Sequence, residues 1–315
     1  MLVSTQQSLD LVSELFLEAP LSLSFGISPA LVTPFVDGKV DVPRLAAHAK
    51  DCLARGCRTA TLFGTTGEGP SIGIIERERV AKEMVAHGVP AEKLVEGVIA
   101  CSLEEAAYST SQALRRGAHA VLLAPPFYFR SVSDDAVLEW YSAVFEAVGS
   151  NLRDIVLYHI PGMTGVPLSH AILSRLKERY PAAIRGIKDS GCDAEATFAL
   201  IKAFPDIDIL VGDETYLGRA CAAGAAGSIC GVANILPEAV TALAENGRDD
   251  PRIVELVMEI GRHPIVPMVK ALVAHVRQDP VWAVARPPLS ILDGQSTARA
   301  ISLLEPFGKA VKAVA

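Results

Sequence analysis

The feature that most constrains this chain is a regular alternation of short β-rich runs with longer amphipathic runs, which starts near residue 26. One such pair recurs every 25 to 35 residues or so, roughly the length of one βα unit. The pattern predicts eight strands, over residues 27–32, 58–63, 94–98, 120–123, 154–158, 184–188, 207–211 and 227–229. It predicts helices after them, over residues 42–54, 75–87, 103–116, 133–148, 169–179, 193–204, 214–223 and 237–245. The fold class is therefore α/β with a parallel sheet.

The strands are almost continuously apolar, which is typical of parallel strands whose two faces are both buried. Eight such units predict a closed (β/α)8 TIM barrel. An open, doubly wound sheet is the alternative, but it usually has a glycine-rich phosphate turn after the first strand. The segment PALVTPFVDG at residues 29–38 has no GxGxxG pattern, so the barrel is favoured.

The length of 315 residues suits one barrel of about 250 residues with an appendage, and it would also suit two domains. After the eighth unit, helical patterns continue over residues 252–261, 264–276 and 297–314. The predicted organisation is an N-terminal extension at 1–25, a barrel core at 26–236, and a last barrel helix with a C-terminal helical domain at 237–315.

Composition narrows the partners. The formal net charge is -7 at pH 7, so no global basic field would attract nucleic acid or an anionic membrane, and small molecules are expected instead. The first 20 residues lack both a basic segment and a long apolar run, so no secretion signal or membrane span is expected. Six scattered cysteines without a CxxC pair are typical of reduced thiols in a cytoplasmic protein. We expect no bound metal, since no group of histidines and carboxylates has metal-ligand spacing.

The strand IRGIKDS at 184–190 ends with a lysine at what should be an open rim. Strand alternation places Ile184, Gly186 and Lys188 on one face, which would point into the barrel mouth, with Gly186 leaving room for a bound molecule. Burial disfavours the ammonium form of a lysine, and the free amine can attack a carbonyl carbon. An imine-forming enzyme is one interpretation. A lysine that snorkels at a strand end is the other.

Two further rim segments bear on that choice. Tyr158 ends the fifth predicted strand in phase to project inward, about 5 Å from Lys188 across one inter-strand step. Hydroxyls of Thr65 and Tyr128 could connect it to the rim and relay protons, although such hydroxyls also form inert buried networks. The turn GTTGEG at 64–69 offers two hydroxyls and consecutive amides that could bind a carboxylate, or it is only a tight strand-to-helix turn.

Five motifs in this order resemble one known family: GTTGE at 64–68, PPFY at 125–128, YHIPGMTG at 158–165, GIKDS at 186–190 and GVANILP at 231–237. The chain is similar in these motifs and their spacing to the dihydrodipicolinate synthase and N-acetylneuraminate lyase family, from about residue 27 to at least 289. The resemblance implies a (β/α)8 barrel with a C-terminal helical domain. It also implies a homotetramer built as a dimer of dimers and a lysine imine with a 2-oxo acid, with no cofactor.

The resemblance also implies roles for single residues. Lys188 matches the imine lysine, Tyr158 the catalytic tyrosine, and Thr65 and Thr66 the pair that holds the 2-oxo acid carboxylate. Tyr128 matches a tyrosine that a neighbouring subunit contributes. The full predicted set is catalytic Lys188, Tyr158, Thr65 and Tyr128, and substrate-binding Thr66, Gly67, Gly186, Met163, Gly231 and Val232.

Departures from the family pattern bear on the substrate. Synthases that make dihydrodipicolinate have an arginine at the position of Met163, which grips a carboxylate on the aldehyde, and a thioether cannot make that contact. The histidines of the lysine-feedback site are absent, since Ile74 and Arg77 stand there. Sialic-acid lyases typically have a serine at Thr65.

The predicted activity is that of a lyase that cleaves or forms a carbon–carbon bond of a 2-oxo acid, with pyruvate as one partner and an aldehyde as the other. A 2-keto-3-deoxy sugar acid is the favoured substrate, since its hydroxylated tail tolerates a methionine. A dehydratase acting on such an acid and dihydrodipicolinate synthase are alternatives within the family. A catalytically silent barrel that binds a 2-oxo acid is the alternative from another class.

Overall fold

Short parallel strands alternate with helices in the computed structural model, which describes residues 21–308. The strands are β1 Gly26–Pro29, β2 Phe35–Val36, β3 Lys39–Val40, β4 Ala60–Leu62, β5 Leu94–Val98, β6 Ala120–Leu123, β7 Ile155–His159, β8 Ile184–Asp189, β9 Asp208–Val211 and β10 Gly227–Cys230. The helices are α1 Val42–Ala54, α2 Ile74–Ala86, α3 Leu103–Arg115, α4 Asp134–Val148, α5 Pro161–Thr164, α6 His170–Arg179, α7 Ala194–Ala203, α8 Leu217–Ala222, α9 Pro237–Asn246, α10 Pro251–Gly261, α11 Ile265–Arg277 and α12 Gly294–Ser302.

Eight of the strands at residues 21–308 form one parallel sheet, which closes into a barrel. Their order in the sheet is β1-β10-β9-β8-β7-β6-β5-β4. The two ends of this sheet meet through a parallel bridge between Ala30 and Thr61, where the Leu31 N–H donates to the Thr61 carbonyl at 3.0 Å. The predicted (β/α)8 barrel with C-terminal helices is therefore confirmed.

The core has separate parts inside and outside the barrel. A small interior cluster contains Phe25, Leu122, Val156 and Tyr158, all nearly inaccessible to solvent. Larger apolar clusters fill the space between the strands and the surrounding helices. Both faces of the strands are thus buried, which explains their continuous apolar runs.

One predicted strand phase is wrong at its start. Gly186 and Lys188 share the inward face as expected, but Ile184 packs in the outer cluster. The register between β7 and β8 shifts at this point, because Ile155 pairs with Ile184 while Val156 pairs with Gly186. One extra residue in β8, a β-bulge, moves Ile184 to the opposite face.

Most helix starts follow their sequence signals. The hydroxyl of Ser102 accepts from the Glu105 N–H at 3.4 Å, as is typical of a serine at a helix N-cap. Pro43 and Pro237 occupy first turns. The last predicted helix is shorter than expected, since α12 ends at Ser302 and residues 309–314 lie outside the described residues.

A hairpin between β1 and α1 was not predicted. β2 and β3 pair antiparallel around Asp37 and Gly38, whose φ angles are 49° and 73°. Two consecutive positive φ angles are typical of the two-residue hairpin turn that Asp-Gly favours. The sequence signal was present at residues 37–38, but the flanking strands are only two residues long.

The predicted N-terminal extension is described only from residue 21 onward. Residues 1–20 of the predicted N-terminal extension lie outside the described residues, whereas Leu23 and Phe25 are buried. None of the helices at residues 21–308 is long and apolar enough to cross a membrane. All six cysteines lie in this part of the chain and are free.

A buried histidine joins α1 to α11 and to the end of the barrel. His48 Nδ1 accepts from Arg277 at 2.7 Å, and its Nε2–H donates to Asn234 Oδ1 at 3.0 Å. The Asn234 amide in turn donates to the Ala30 carbonyl at 2.8 Å. The C-terminal helices are therefore fixed to the barrel rim through a neutral imidazole.

We expect this histidine to make stability depend on pH. Burial, assisted by Arg277, lowers the pKa of His48 to about 3, from an unfolded value of 6.5. The unfolded chain therefore binds a proton below pH 6.5 that the folded chain does not bind, and stability falls as the pH falls from 6.5 toward 3. Between pH 7.5 and 4.5 this group should lower the free energy of unfolding by about 2–3 kcal/mol.

Urea denaturation at several pH values measures this effect. Below pH 6.5, His48→Gln should reduce the slope of the free energy of unfolding against pH by the equivalent of about one proton. His87→Gln, a change at an exposed histidine, should leave this slope unchanged. Equal slopes for wild type and His48→Gln would contradict the assignment.

Candidate active site

Lys188 and Tyr158 lie side by side at the carboxyl ends of β8 and β7. The two residues are register partners in the parallel pair. Lys188 Nζ donates to the Tyr158 hydroxyl at 3.2 Å and lies 4.4 Å from the centre of its ring. Both side chains are buried, with exposed fractions of 5% and 2%. The predicted proximity is confirmed, and it places an amine and a phenol in one water-poor pocket.

Thr65 extends this pair toward the neighbouring loop. Its hydroxyl lies 3.2 Å from the Tyr158 hydroxyl and is half-buried. A continuous chain of polar atoms therefore runs from Lys188 Nζ through Tyr158 to Thr65. Such a chain can carry a proton between the amine and the loop.

The turn after β4 presents unused amide donors. In the described chain, none of the N–H groups of Thr65, Thr66 and Gly67 donates a hydrogen bond to another protein atom. The following amides are used within the turn, because Glu68 N donates to Thr65 O and Gly69 N to Gly64 O, both at 3.0 Å. Three consecutive free donors beside two threonine hydroxyls are a set of groups suited to bind a carboxylate.

Close packing fixes the glycines of the site. A Cβ atom on Gly67 would lie 2.7 Å from the Leu31 carbonyl oxygen, and one on Gly186 would lie 2.1 Å from the Asp208 carbonyl oxygen. Gly186 was expected to leave room for a bound molecule. The structure shows instead that the backbone of β9 occupies the space that a side chain would need.

The segment after β10 carries two of the predicted substrate-binding residues, Gly231 and Val232. Val232 packs in the outer apolar cluster, and its N–H donates to Glu214 Oε1 at 2.8 Å. Gly231 is half-buried beside it. Burial raises the pKa of the Glu214 carboxyl. Contact of Gly231 and Val232 with a substrate remains a prediction, since the Val232 side chain points away from the interior cluster.

Two predicted residues lie on the outer surface of the mouth. Tyr128 is 77% exposed, and its hydroxyl has no hydrogen-bond partner among residues 21–308. Met163 is 56% exposed on the short helix α5. Neither side chain is joined to Lys188 within one chain, so their roles remain predictions.

His159 and Asp189 follow the catalytic candidates on β7 and β8 and point the opposite way. His159 Nδ1 accepts from the Leu168 N–H at 2.9 Å, and Asp189 accepts from the Thr197 hydroxyl at 2.6 Å. Burial lowers the pKa of His159, while the Asp189 carboxylate opposes that shift. A neutral His159 thus joins the two ends of the loop that carries Met163.

One group of side chains has the spacing of metal ligands. Ligand atoms of His48, Asp51 and Cys52 lie within 4.8 Å of one another. Arg277 donates to both His48 Nδ1 and Asp51 Oδ2, at 2.7 and 2.6 Å. Burial raises the pKa of Cys52 to about 12, so its thiol stays protonated. Since His48 and Asp51 are already bonded to a guanidinium and Cys52 stays a thiol, the three side chains do not fit a cation.

Sequence reasoning missed several residues that hold the turn at 64–69. Thr33 donates to the Gly67 carbonyl at 2.7 Å, and Arg77 Nη2 donates to the Gly69 carbonyl. Lys270 reaches the same turn from α11. A lysine inside the apolar run PMVKALV at 267–273 was a signal for the last of these, since lysines are rarely buried without a partner.

Comparisons with known proteins agree on one family. Residues 23–300 match the model of the dihydrodipicolinate synthetase family. An uncharacterized DapA-like lyase of Chloroflexus aurantiacus is 32% identical over 69% of this chain and 73% of that protein. A 4-hydroxy-tetrahydrodipicolinate synthase of Geotalea daltonii is 34% identical over 69% of this chain and 73% of its own.

Solved structures show the same likeness. The crystal structure of dihydrodipicolinate synthase from Agrobacterium tumefaciens str. C58 is 43% identical and covers 90% of this chain and 99% of that one. Its TM-score is 0.88.

Proposed function

Because the chain belongs to the dihydrodipicolinate synthetase family, whose members are lyases, we propose that it forms a lysine imine with a 2-oxo acid and cleaves or forms a carbon–carbon bond, with pyruvate as one partner. The observation that carries this proposal is the buried contact between Lys188 Nζ and the Tyr158 hydroxyl at 3.2 Å. An amine beside a phenol at the mouth of a barrel supplies both the nucleophile and the proton carrier of that chemistry.

The reaction begins at Lys188. The neutral amine attacks the C2 carbonyl of the 2-oxo acid, water leaves, and a protonated imine forms. Tyr158 then accepts the proton of the C4 hydroxyl while its own phenol proton passes through the Thr65 hydroxyl toward the rim. The C3–C4 bond breaks, and the electron pair of that bond moves into the imine to give an enamine. The aldehyde departs, C3 of the enamine gains a proton, and water releases pyruvate from Lys188. No cofactor is needed, because the imine itself withdraws the electrons.

The turn at 64–69 holds the substrate carboxylate in this scheme. The free N–H groups of Thr65, Thr66 and Gly67 belong to a turn that is linked to Lys188 through the hydroxyls of Thr65 and Tyr158. Charge-assisted bonds from such donors are short and strong, so they fix C2 beside the amine. The Thr65 hydroxyl completes the proton path from Tyr158.

The aldehyde half is proposed to be neutral or hydroxylated, as in a 2-keto-3-deoxy sugar acid. Met163 on α5 cannot form an ionic contact with a carboxylate on that half. Dihydrodipicolinate synthase is the second candidate, because similar proteins from Geotalea daltonii and Agrobacterium tumefaciens carry that name.

The assembly is proposed to be a homotetramer that consists of two catalytic dimers. The exposed Tyr128 and Phe129 stand next to each other, with ring centres 5.3 Å apart. An aromatic pair of this exposure suits an interface, where Tyr128 would reach the site of the neighbouring chain.

Free thiols throughout the described chain support a cytoplasmic location as part of the same proposal.

The test is intact-mass measurement after incubation with pyruvate and sodium borohydride, followed by a screen of 2-keto-3-deoxy sugar acids for pyruvate release. One reduced pyruvate per chain supports the imine mechanism, and pyruvate release from a sugar acid supports the aldolase. Water loss from the acid without pyruvate would identify the dehydratase. No adduct with pyruvate or with longer 2-oxo acids would exclude the imine mechanism and favour the silent barrel.

Met163→Arg should change which aldehydes condense with pyruvate. A guanidinium at this exposed position can form a charge-assisted pair with a carboxylate on the aldehyde, worth about 1.5–3 kcal/mol. We expect kcat/KM for succinic semialdehyde to rise about 10- to 100-fold relative to that for butanal. Met258→Arg is the control, since Met258 is 58% exposed on a C-terminal helix. An unchanged ratio in Met163→Arg would remove Met163 from the specificity argument.

A further inference from the structure

A second buried lysine lies outside the proposed reaction. Lys188 and Lys270 are the lysines among the buried residues at 21–308, and the side chain of Lys270 is fully buried. Its Nζ donates to Glu68 Oε1 and to the Thr33 carbonyl, the latter at 2.7 Å. Lys270 belongs to α11, whereas Glu68 belongs to the turn at 64–69. A solvent-free ion pair therefore joins the C-terminal helices to the carboxylate-binding turn.

Glu68 is engaged on both carboxylate oxygens. Oε1 accepts from Lys270, and Oε2 accepts from the Arg286 N–H at 2.8 Å. Its φ angle is 56°, in the left-handed region that disfavours residues with a Cβ. Such a conformation persists only where surrounding contacts fix it. The contacts of Lys270 and Arg286 are those that hold the Glu68 side chain.

The backbone of Glu68 transmits this restraint to the free amides. Glu68 N donates to Thr65 O at 3.0 Å and so closes the loop that contains Thr65, Thr66 and Gly67. Rotation of Glu68 out of its left-handed conformation would change the direction of these N–H groups. The position of the carboxylate donors therefore depends on a residue that no substrate touches.

The opposite charges of Lys270 and Glu68 compensate each other in the protein interior. Phe35 lies beneath both cations, with Lys270 Nζ 4.7 Å and the Arg286 guanidinium 4.5 Å from its ring centre. Burial lowers the pKa of Lys270, and the Glu68 carboxylate opposes that shift. Removal of either partner leaves an uncompensated buried charge, whereas removal of both charges does not.

We propose that Lys270 is a positioning residue for the substrate carboxylate: by holding Glu68, it keeps the N–H groups of Thr65, Thr66 and Gly67 directed at the 2-oxo acid. The inference rests on the proposed function, because it takes that turn as the carboxylate site. It assigns the C-terminal helices a part in substrate binding. Lys270 should affect the affinity for pyruvate and not the chemistry at Lys188.

The test is a pyruvate titration with sodium borohydride trapping, read as the adduct fraction by intact mass. The main variant is the double change Lys270→Met with Glu68→Gln, which removes both charges with little change of volume and should fold. Its half-saturating pyruvate concentration should rise about tenfold, equivalent to the loss of one hydrogen bond to a charged group. At saturating pyruvate the adduct should still reach the wild-type fraction.

Asp208→Asn is the matched control. Asp208 accepts from Arg185 Nε at 3.0 Å at the amino end of β9, the opposite end of the barrel. Loss of that ion pair should lower stability and leave the half-saturating pyruvate concentration at the wild-type value. This comparison separates positioning from a general loss of stability.

A folded double variant that binds pyruvate within about twofold of wild type would overturn the proposal. If the double variant does not fold, Lys270→Gln with Glu68→Gln decides, because this pair also leaves no uncompensated charge and the glutamine at 68 keeps the size and an acceptor for the Arg286 N–H. A rise of about threefold supports the proposal, and an unchanged value overturns it. Absence of an adduct in wild type is a different result, since it rejects the lysine imine and with it the carboxylate site.

Discussion

Lys188→Ala should abolish the trapped pyruvate adduct and lower kcat/KM by at least about 10⁴-fold, because the nucleophile that forms the imine is removed. Lys188→Arg should be equally inactive. It places a cation beside the Tyr158 ring, but a guanidinium stays protonated and cannot form an imine. The two variants together separate the need for an amine from the need for a cation. Intact mass after borohydride treatment and a steady-state assay of pyruvate release measure the effect.

Lys82→Ala is the control for this change, since Lys82 is an exposed lysine on α2. It should keep full activity and the full adduct. An adduct that persists in Lys188→Ala and maps to Lys270 would contradict the assignment. We expect no such adduct, because Lys270 is fully buried and bonded to Glu68.

Tyr158→Phe should lower kcat by about 10²- to 10⁴-fold, the usual contribution of a general acid–base group. Among residues 21–308, the phenol is the one polar group with hydrogen bonds to both Lys188 and Thr65, each at 3.2 Å, so its removal breaks the proton path in the middle. KM for the 2-oxo acid should change little, since the carboxylate donors of the turn are intact. A kcat measurement together with the single-turnover rate of adduct formation checks both parts.

Tyr141→Phe is the matched control. Tyr141 is fully buried, and its hydroxyl donates to the Leu123 carbonyl at 3.3 Å in the outer core. The variant loses one buried hydrogen bond, as Tyr158→Phe does, but outside the barrel interior. Equal losses of kcat in the two variants would show that packing, and not proton transfer, explains the effect of Tyr158.

In the proposed reaction, different parts of the site have different tasks. Lys188 and Tyr158 on adjacent strands would supply the chemistry. The turn at 64–69 would supply the carboxylate donors, and Lys270 would set their direction from the C-terminal helices. Variants of the first pair should therefore change kcat, whereas variants of Lys270 and Glu68 should change the affinity for pyruvate.

Periodicity in the sequence was sufficient for the barrel and for the central pair. Strand and helix patterns repeat locally, and a parallel barrel needs little beyond eight such units with apolar strands. Alternation also placed Tyr158 and Lys188 on the inward face, because neighbouring strands of one sheet share their phase at the rim. The free amides of the turn followed from its glycines and threonines.

Tertiary structure alone decided which distant groups meet. The bulge in β8 that turns Ile184 outward depends on how β7 and β9 pair with it, and no local pattern at 184–186 records it. Lys270 and Glu68 are 202 residues apart and meet only because α11 packs over the rim. The same is true of His48 and Arg277, which are 229 residues apart. A sequence specifies through local periodicity which face of an element is apolar, but the partner of a buried charge depends on the packing of whole elements against one another.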